Sequence, residues 1–201
     1  MFSRSLTNMI VCDMGGTIIQ ESGVFYKSLY ESIKIFKPDL KITEIYDLSK
    51  YNKNDIIKYF IKDVTTYRRT SLIFNKKLYK NYNDDSIKLI NPDIPDFFND
   101  LRKDNIKITL NTDYNKKIQD LLINKFNLQN YIDDYISTSE VIKGRPSPVM
   151  MCKLMDRNNI LQTNHIIKIG DTRLDILEGK NTDCKTVGVL SGMSTYTELN
   201  K

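Results

Sequence analysis

Apolar and polar positions along the chain follow two different patterns, which divide it into two regions. Between residues 21 and 90, apolar residues recur at the three- or four-residue spacing of a buried helix face. This spacing predicts helices at 25–36, 56–61 and 72–82. In the last of these, Phe74, Leu78 and Tyr79 are expected on one face. Because no strand-like run interrupts the region, we expect a small helical bundle there.

Elsewhere, short apolar runs alternate with amphipathic segments. The run at 9–12 predicts a first buried strand. Further strands are predicted at 106–110, 135–137, 166–169 and 186–189. The helices between them are predicted at 95–103, 115–126 and 146–158. Strands and helices that alternate in this way are typical of an α/β protein with a doubly wound parallel sheet and right-handed crossovers.

The two patterns predict two domains. Residues 1–20 and 91–201 are expected to form the α/β core, and residues 21–90 a helical domain inserted into it. With 201 residues, the chain is long enough to bury a sizeable core. Its 40% apolar and 27% charged residues are ordinary for a globular protein.

Composition limits the classes of partner. The formal net charge is +5, but basic residues are interspersed with acidic ones and form no stripe. A nucleic-acid-binding protein usually clusters Lys and Arg on one face, so we expect no nucleic-acid partner. A modest positive charge suits a small anionic substrate.

Cysteine usage and hydropathy bear on the compartment. Cys12, Cys152 and Cys184 show no metal-ligand spacing, and their odd number predicts no disulfide framework. No apolar run approaches the 18 or so residues that span a bilayer, and no signal-peptide pattern is present. We therefore expect a cytoplasmic protein without a membrane partner.

Polar residues suited to one anion follow the predicted strands. Asp13 comes directly after the first apolar run, Thr112 follows the second strand, and Asp171 follows the strand at 166–169. Asp175 lies four residues further on, and Arg145 precedes a predicted helix. A single Asp after an apolar run usually only begins a turn. However, the carboxyl ends of parallel strands share one edge, so these groups are expected to converge.

These motifs resemble those of the haloacid dehalogenase superfamily, and within it the phosphonatase-like hydrolases. The matching stretches occur in the same order, at 13–17 (Asp-Met-Gly-Gly-Thr), 110–112, 144–148, 164–179 and 186–189. The resemblance covers nearly the whole predicted core. It implies a Rossmann-like core with an inserted helical cap of the C1 type, whose closure expels water from the site.

The resemblance also implies a mechanism. Asp13 would attack phosphorus to give an aspartyl-phosphate, which divides one difficult displacement into two easier ones. Mg²⁺ would be held by Asp13, the backbone carbonyl of Gly15 and Asp171, with Asp175 as a ligand or supporting carboxylate. For Asp175, a helix N-terminal carboxylate is an equally good interpretation.

The substrate site implied by the resemblance lies around the same loop. Thr112 and the backbone after Asp13, at Gly15, Gly16 and Thr17, would hold phosphoryl oxygens. Arg145 would neutralise the charge on those oxygens. The Thr17 side chain is expected to brace the loop. A small phosphorylated or phosphonate metabolite is the implied substrate.

Position 15 separates this chain from most phosphatases of the superfamily. They carry a second Asp there as general acid and base, whereas this chain has Gly15. Phosphonatases also carry a small residue at this position and use Arg where others use Lys, as at Arg145. Asp113 stands where Gly usually follows the motif threonine.

Three functions remain open at this point. The first is Mg²⁺-dependent hydrolysis of a small phosphorylated or phosphonate metabolite. The second is true phosphonoacetaldehyde hydrolysis, in which Lys53, or less readily Lys50, forms a Schiff base with the aldehyde. The third, suggested by Gly15 and Asp113, is a catalytically degenerate protein that only binds a phosphorylated ligand. The resemblance also implies a homodimer formed through the cap.

Overall fold

The computed structural model describes residues 7–21, 23–49 and 51–200. The chain divides into two compact units. A sheet unit contains the described residues up to Gln20 and those from Lys88 onward, and a helical unit contains Glu21–Ile87. Lys50 lies outside the described residues.

Among the described residues, the sheet unit has five parallel strands, which confirms the predicted α/β class. In chain order they are β1 (Met9–Cys12), β4 (Lys107–Thr112), β5 (Asp134–Ser137), β6 (Ile166–Gly170) and β7 (Lys185–Gly188). Their spatial order is β5-β4-β1-β6-β7. The labels β2 (Ile19–Gln20) and β3 (Lys88–Leu89) denote a separate antiparallel pair.

The central strand is apolar because both of its faces are covered. All four residues of β1 are buried. Met9 and Val11 belong to a core cluster with Met150 and Leu154, which lie on the helix that follows β5. Parallel sheets covered on both faces have such continuous apolar strands, whereas one-sided sheets alternate.

Helices follow the strands as the alternating pattern predicts. They are α5 (Ile94–Lys103), α6 (Lys116–Lys125), α7 (Val149–Arg157), α8 (Arg173–Asn181) and the short α9 (Tyr196–Leu199). The first four pack against strands of the sheet. Asn115 caps α6 by accepting a hydrogen bond from the Ile118 N–H at 3.1 Å, which explains why the helix begins there.

In the described part of the helical unit there are four helices, packed among themselves. They are α1 (Val24–Lys34), α2 (Ile42–Asp47), α3 (Lys53–Phe60) and α4 (Val64–Tyr82). Helix α1 packs against α4. Leu29 and Ile33 on α1 are buried, and so are Phe74 and Leu78 on α4. Within the described residues, no helix combines the length and the apolar character needed to cross a membrane.

The structure differs from the sequence-based expectations in several details. Tyr79 is 44% exposed, because its position on α4 is turned away from the buried face that carries Phe74 and Leu78. The helices α2, α8 and α9 lie outside the predicted helix ranges. In addition, α4 begins at Val64 rather than at 72, and α7 begins at Val149 rather than at 146. The region expected to be helical up to residue 90 ends with β3, since Lys88–Leu89 pairs with Ile19–Gln20.

We expect the sheet unit to depend strongly on the packing of α6. Replacing the fully buried Leu122 by Ala should lower the free energy of unfolding by about 2–5 kcal/mol, because it leaves a cavity. The same change at Leu161, which is 93% exposed, should stay within about 0.5 kcal/mol. Urea denaturation followed by circular dichroism measures both. Equal effects of the two substitutions would contradict this account of the core.

Candidate active site

The register of the sheet brings three strand ends to one edge. Cys12 pairs with Leu110 on one side and with Ile169 on the other. Asp13, the next residue, is therefore level with Asn111 and Gly170, and its N–H donates to the carbonyl of Ile169 at 2.8 Å. This edge, at the carboxyl ends of parallel strands, is where ligands bind in open α/β sheets.

Arg145 connects the groups at this edge. Its Nη1 lies 2.8 Å from Oδ1 of Asp13 and 3.0 Å from Oδ1 of Asp175. Its Nη2 donates to the backbone carbonyl and to the side-chain oxygen of Asn111, at 2.8 and 2.7 Å. Its Nε donates to Glu178 at 3.2 Å. Arg145 thus binds the predicted nucleophile directly, and these contacts match the five N–H donors of a guanidinium.

Lys168 provides a second cation, which lies near the carboxylates of Asp175 and Glu178. Its Nζ lies 2.7 Å from Oδ1 of Asp175 and donates to Oδ1 of Asn111 at 2.8 Å. It is also 3.7 Å from Oε2 of Glu178. Lys168 is fully buried, and a lysine is rarely buried unless it is paired. Asp175 therefore receives two cations on a single oxygen.

Three carboxylates lie close enough to share one cation. Asp13, Asp171 and Asp175 each offer an oxygen, and these oxygens lie within 4.8 Å of one another. Oxygen ligands of this kind suit a hard cation such as Mg²⁺. The trio therefore has the right chemistry for the metal that the superfamily resemblance implies.

The charge of the surrounding side chains also fits a divalent cation. Four carboxylates and two cations, all buried, make up what we call the charged cluster: Asp13, Asp171, Asp175, Glu178, Arg145 and Lys168. When all six are ionised, two negative charges remain without a counter-charge. Because unbalanced charge is costly to bury, a divalent cation would stabilise the cluster.

The protonation equilibria of these carboxyls point the same way. Burial raises the pKa of Asp13 well above its usual range, although Arg145 acts to lower it. For Asp175, burial also opposes ionisation, but Arg145 and Lys168 outweigh it and lower its pKa. Burial raises the pKa of Asp171. Burial therefore disfavours the ionised forms of Asp13 and Asp171, and a bound cation would stabilise them.

The loop after Asp13 is held against Asp171. Thr17 Oγ1 donates to Oδ1 of Asp171 at 3.2 Å, and the Met193 N–H donates to its Oδ2 at 3.0 Å. Gly16 has a φ of +75°, and a Cβ there would lie 2.5 Å from Asp171. Ser191 donates to the Gly16 carbonyl at 2.8 Å. A side chain at position 16 would therefore push Asp171 out of place.

The other predicted site residues are placed as follows. Thr112 is the last residue of β4 rather than the residue after it, and its buried Oγ1 accepts from the Tyr114 N–H at 3.3 Å. Gly15 forms an isolated bridge with Ile19. Lys53 is the first residue of α3 and so belongs to the helical unit.

Asp113, the residue that stands where relatives usually have Gly, acts on Arg145. Burial disfavours the charged guanidinium, but Asp13, Asp175 and Glu178 outweigh it and raise the pKa of Arg145, and Asp113 adds to this effect. Arg145 is therefore firmly protonated.

Sequence reasoning missed Asn111, Lys168 and Glu178. Lys168 did carry a signal, since it is the one charged residue of the apolar strand Ile166–Gly170. Glu178 lies three residues after Asp175 on α8, a spacing that places two side chains on the same helix face. Neither signal identifies the partners, which lie on other elements of the sheet unit.

Two residues of types that often carry chemistry, a histidine and a cysteine, have the surroundings of structural residues. His165 lies before β6, at the end of the strand opposite to Asp171, and its Nδ1 is 3.4 Å from Nδ2 of Asn8. Cys12 is 3% exposed, and burial raises the pKa of its thiol to about 12. The Cys12 thiol is therefore neutral and packs as a core side chain.

Curated relatives match part of the chain. Phosphonoacetaldehyde hydrolase of Bacillus thuringiensis (strain Al Hakam) is 40% identical over 95 residues, which is 47% of this chain and 36% of that protein. The phosphonoacetaldehyde hydrolase of Bacillus anthracis shows the same identity and coverage. The matched region therefore spans about a third of the length of these relatives.

Solved structures resemble the chain over almost its full length. A phosphonoacetaldehyde hydrolase-like protein from Oleispira antarctica has a TM-score of 0.82 at 20% identity, over 93% of this chain and 74% of that one. A hydrolase from Pseudomonas syringae has a TM-score of 0.83 at 18% identity, over 96% and 89%. At such identities the likeness shows the fold.

The match at the level of the family is broader. The family model described as haloacid dehalogenase-like hydrolase covers residues 10–189, which include Asp13 and the rest of the charged cluster. The chain belongs to the haloacid dehalogenase-like hydrolase family.

Proposed function

We propose that this protein is a Mg²⁺-dependent hydrolase that cleaves a small phosphorylated or phosphonate metabolite through Asp13. The observation that carries the proposal is the buried trio Asp13, Asp171 and Asp175, with Arg145 bound to Asp13 at 2.8 Å. The relatives named phosphonoacetaldehyde hydrolase support a substrate that contains phosphorus.

In the proposed reaction, a carboxylate oxygen of Asp13 attacks phosphorus in line with the leaving group. The bond between phosphorus and the leaving group breaks as the aspartyl-phosphate forms, and water then hydrolyses that intermediate. Thr112 and the backbone N–H groups after Asp13 would bind the phosphoryl oxygens. Arg145 would hold Asp13 ionised and in place.

Asp13, Asp171, Asp175 and the backbone carbonyl of Gly15 would hold Mg²⁺. The ion would supply positive charge that offsets the repulsion between the carboxylate of Asp13 and an anionic phosphoryl group. Thr17 and Met193 keep Asp171 in position for this role through their hydrogen bonds.

Gly15 influences which substrates are suitable. It offers no carboxyl group to protonate a leaving oxygen, so an alkoxide leaving group receives no help from this position. A leaving group whose negative charge is delocalised needs less assistance. The glycine thus favours substrates with activated leaving groups.

A second candidate function is phosphonoacetaldehyde hydrolysis with Lys53 as the Schiff-base residue. Lys53 begins α3 directly after the cap residue Asn52, whose side chain accepts from the N–H groups of Asn54 and Asp55 at 3.1 Å. The positive end of the helix dipole disfavours an ammonium group there, which favours the neutral amine. That amine would condense with the aldehyde and release water. As Asp13 takes the phosphorus, the protonated imine would accept the electron pair of the carbon–phosphorus bond, and water would hydrolyse the resulting enamine to acetaldehyde and the free lysine.

We further propose that the helical unit acts as the cap, closing over the site during turnover. The free thiols of Cys12, Cys152 and Cys184 favour a reducing cytoplasm as the compartment.

A homodimer formed through the helical unit stays a prediction, as does the expected absence of a nucleic-acid partner.

Replacing Asp13 by Asn should abolish phosphate release, because the amide is not a nucleophile of comparable strength. We expect a loss of several orders of magnitude in kcat at unchanged secondary structure. A colorimetric phosphate assay on phosphonoacetaldehyde and a panel of phosphomonoesters measures it. The matched control is Asp156→Asn at an exposed position of α7, which should retain wild-type turnover. Equal activity of Asp13→Asn and wild type would refute the proposal, and a wild-type protein inactive on every substrate would favour the degenerate binder.

Mg²⁺ should stabilise the folded protein by binding the carboxylate trio. At about 100 times its Kd, the ion should contribute about 2.7 kcal/mol, which corresponds to a rise in Tm of about 5–10 °C. Asp171→Asn should lose most of this rise, whereas Asp156→Asn should keep it. Thermal melts with Mg²⁺ and with EDTA measure the effect. The same rise in wild type and Asp171→Asn would show that the ion binds elsewhere.

Lys53 should be required only if the substrate is phosphonoacetaldehyde. Lys53→Arg should then abolish its turnover, and borohydride should trap an adduct on Lys53 of the wild type. Lys58→Arg, an exposed position on the same helix, is the control. Mass spectrometry locates the adduct. Wild-type turnover of the aldehyde by Lys53→Arg would rule out the Schiff base, leaving the Asp13 reaction untouched.

A further inference from the structure

Glu178 is a buried carboxylate for which the proposed reaction has no role. It lies on α8 and is fully buried. Its Oε2 accepts from Arg145 Nε at 3.2 Å and from Asn111 Nδ2 at 2.8 Å, and lies 3.7 Å from Lys168 Nζ. Oε1 is buried and has no hydrogen-bond partner among the described residues. A residue placed in this way calls for an explanation, because burying an unneeded carboxylate is costly.

The contacts of Arg145 show what Glu178 can do. Two sides of the guanidinium are fixed by protein groups, Nε by Glu178 and Nη2 by both oxygens of Asn111. These contacts determine the plane and the direction of the group. The remaining nitrogen, Nη1, then points at Asp13 and Asp175. Without Glu178, Nε of Arg145 would lose its partner, and Asn111 alone would orient the guanidinium toward the two carboxylates.

Glu178 also contributes to the charge of the cluster. With Arg145 and Lys168 as the two cations, the trio Asp13, Asp171 and Asp175 leaves a single uncompensated negative charge. Glu178 brings this to two, which matches a divalent cation. Because the cluster is buried, this additional negative charge would attract an ion bound to the trio strongly.

We propose that Glu178 is a positioning residue of the site, which holds Arg145 against Asp13 and supplies the negative charge that matches the cluster to a divalent cation. This inference rests on the proposed function. Glu178 acts through Arg145 and through charge, without contacting the ion or the substrate. Asn111 and Lys168 complete the arrangement, because both also contact Oε2 of Glu178.

The test compares Glu178→Gln with wild type. Gln keeps the size and the acceptor oxygen but removes the charge. We expect Mg²⁺ affinity, measured by isothermal titration calorimetry, to fall about 10- to 100-fold, as is typical when groups behind metal ligands are altered. The kcat at saturating Mg²⁺ should also fall. Glu31→Gln, which alters a surface ion pair with Lys77 in the helical unit, should change neither quantity.

A second variant separates charge from position. Glu178→Asp keeps the charge but withdraws the carboxylate by one methylene group from Arg145. Mg²⁺ affinity should therefore stay within about threefold of wild type while kcat falls about 10-fold or more. This variant also keeps the inference testable if Glu178→Gln does not fold.

The outcomes distinguish this inference from its alternatives. A lower Tm of Glu178→Gln with wild-type Mg²⁺ affinity and kcat would show a purely structural ion pair and would overturn the inference. Wild-type kcat in Glu178→Asp would overturn the positioning role. If instead wild type binds no Mg²⁺, or Asp13→Asn retains full turnover, the proposed function itself has failed.

Discussion

The burial of ionised groups at the carboxyl edge of the sheet is the constraint on which the rest of the site depends. A carboxylate removed from water is stable only when cations and hydrogen-bond donors surround it, and breaking such a pair from one side costs about 3–5 kcal/mol. Here Arg145 and Lys168 form ion pairs with three carboxylates, those of Asp13, Asp175 and Glu178. Each charged residue is therefore held in place by the others.

Because of this mutual dependence, both oxygens of Asp175 are fixed by neighbouring groups. Asp175 is bound by two cations through Oδ1, and its other oxygen accepts from the N–H of Thr172 at 3.2 Å at the beginning of α8. The same residue thus caps a helix and belongs to the charged cluster. The two interpretations that the sequence left open for Asp175 are compatible in one side chain.

The sequence was sufficient for those parts of the fold that follow from local patterns. The apolar run of β1 and the alternation after it predicted a parallel sheet, and the strand ends predicted that Asp13, Arg145, Asp171 and Asp175 would meet. It was not sufficient for Lys168, because a charged residue within a strand shows no partner. Pairs such as Lys168 and Asn111 depend on strand order, which periodicity does not encode. Tyr79 was misplaced because it comes one residue after Leu78, and each step along a helix turns the side chain by about 100°.

The antiparallel pair β2 and β3 has a further consequence. It pairs the two residues of the sheet unit that flank the helical unit, Gln20 and Lys88. For the sheet unit, the whole segment between them behaves as a loop whose ends are already joined, and lengthening a closed loop adds little entropic cost. Such an attachment allows evolution to exchange or remodel one continuous segment while the strands, and the reactive groups at their ends, keep their register.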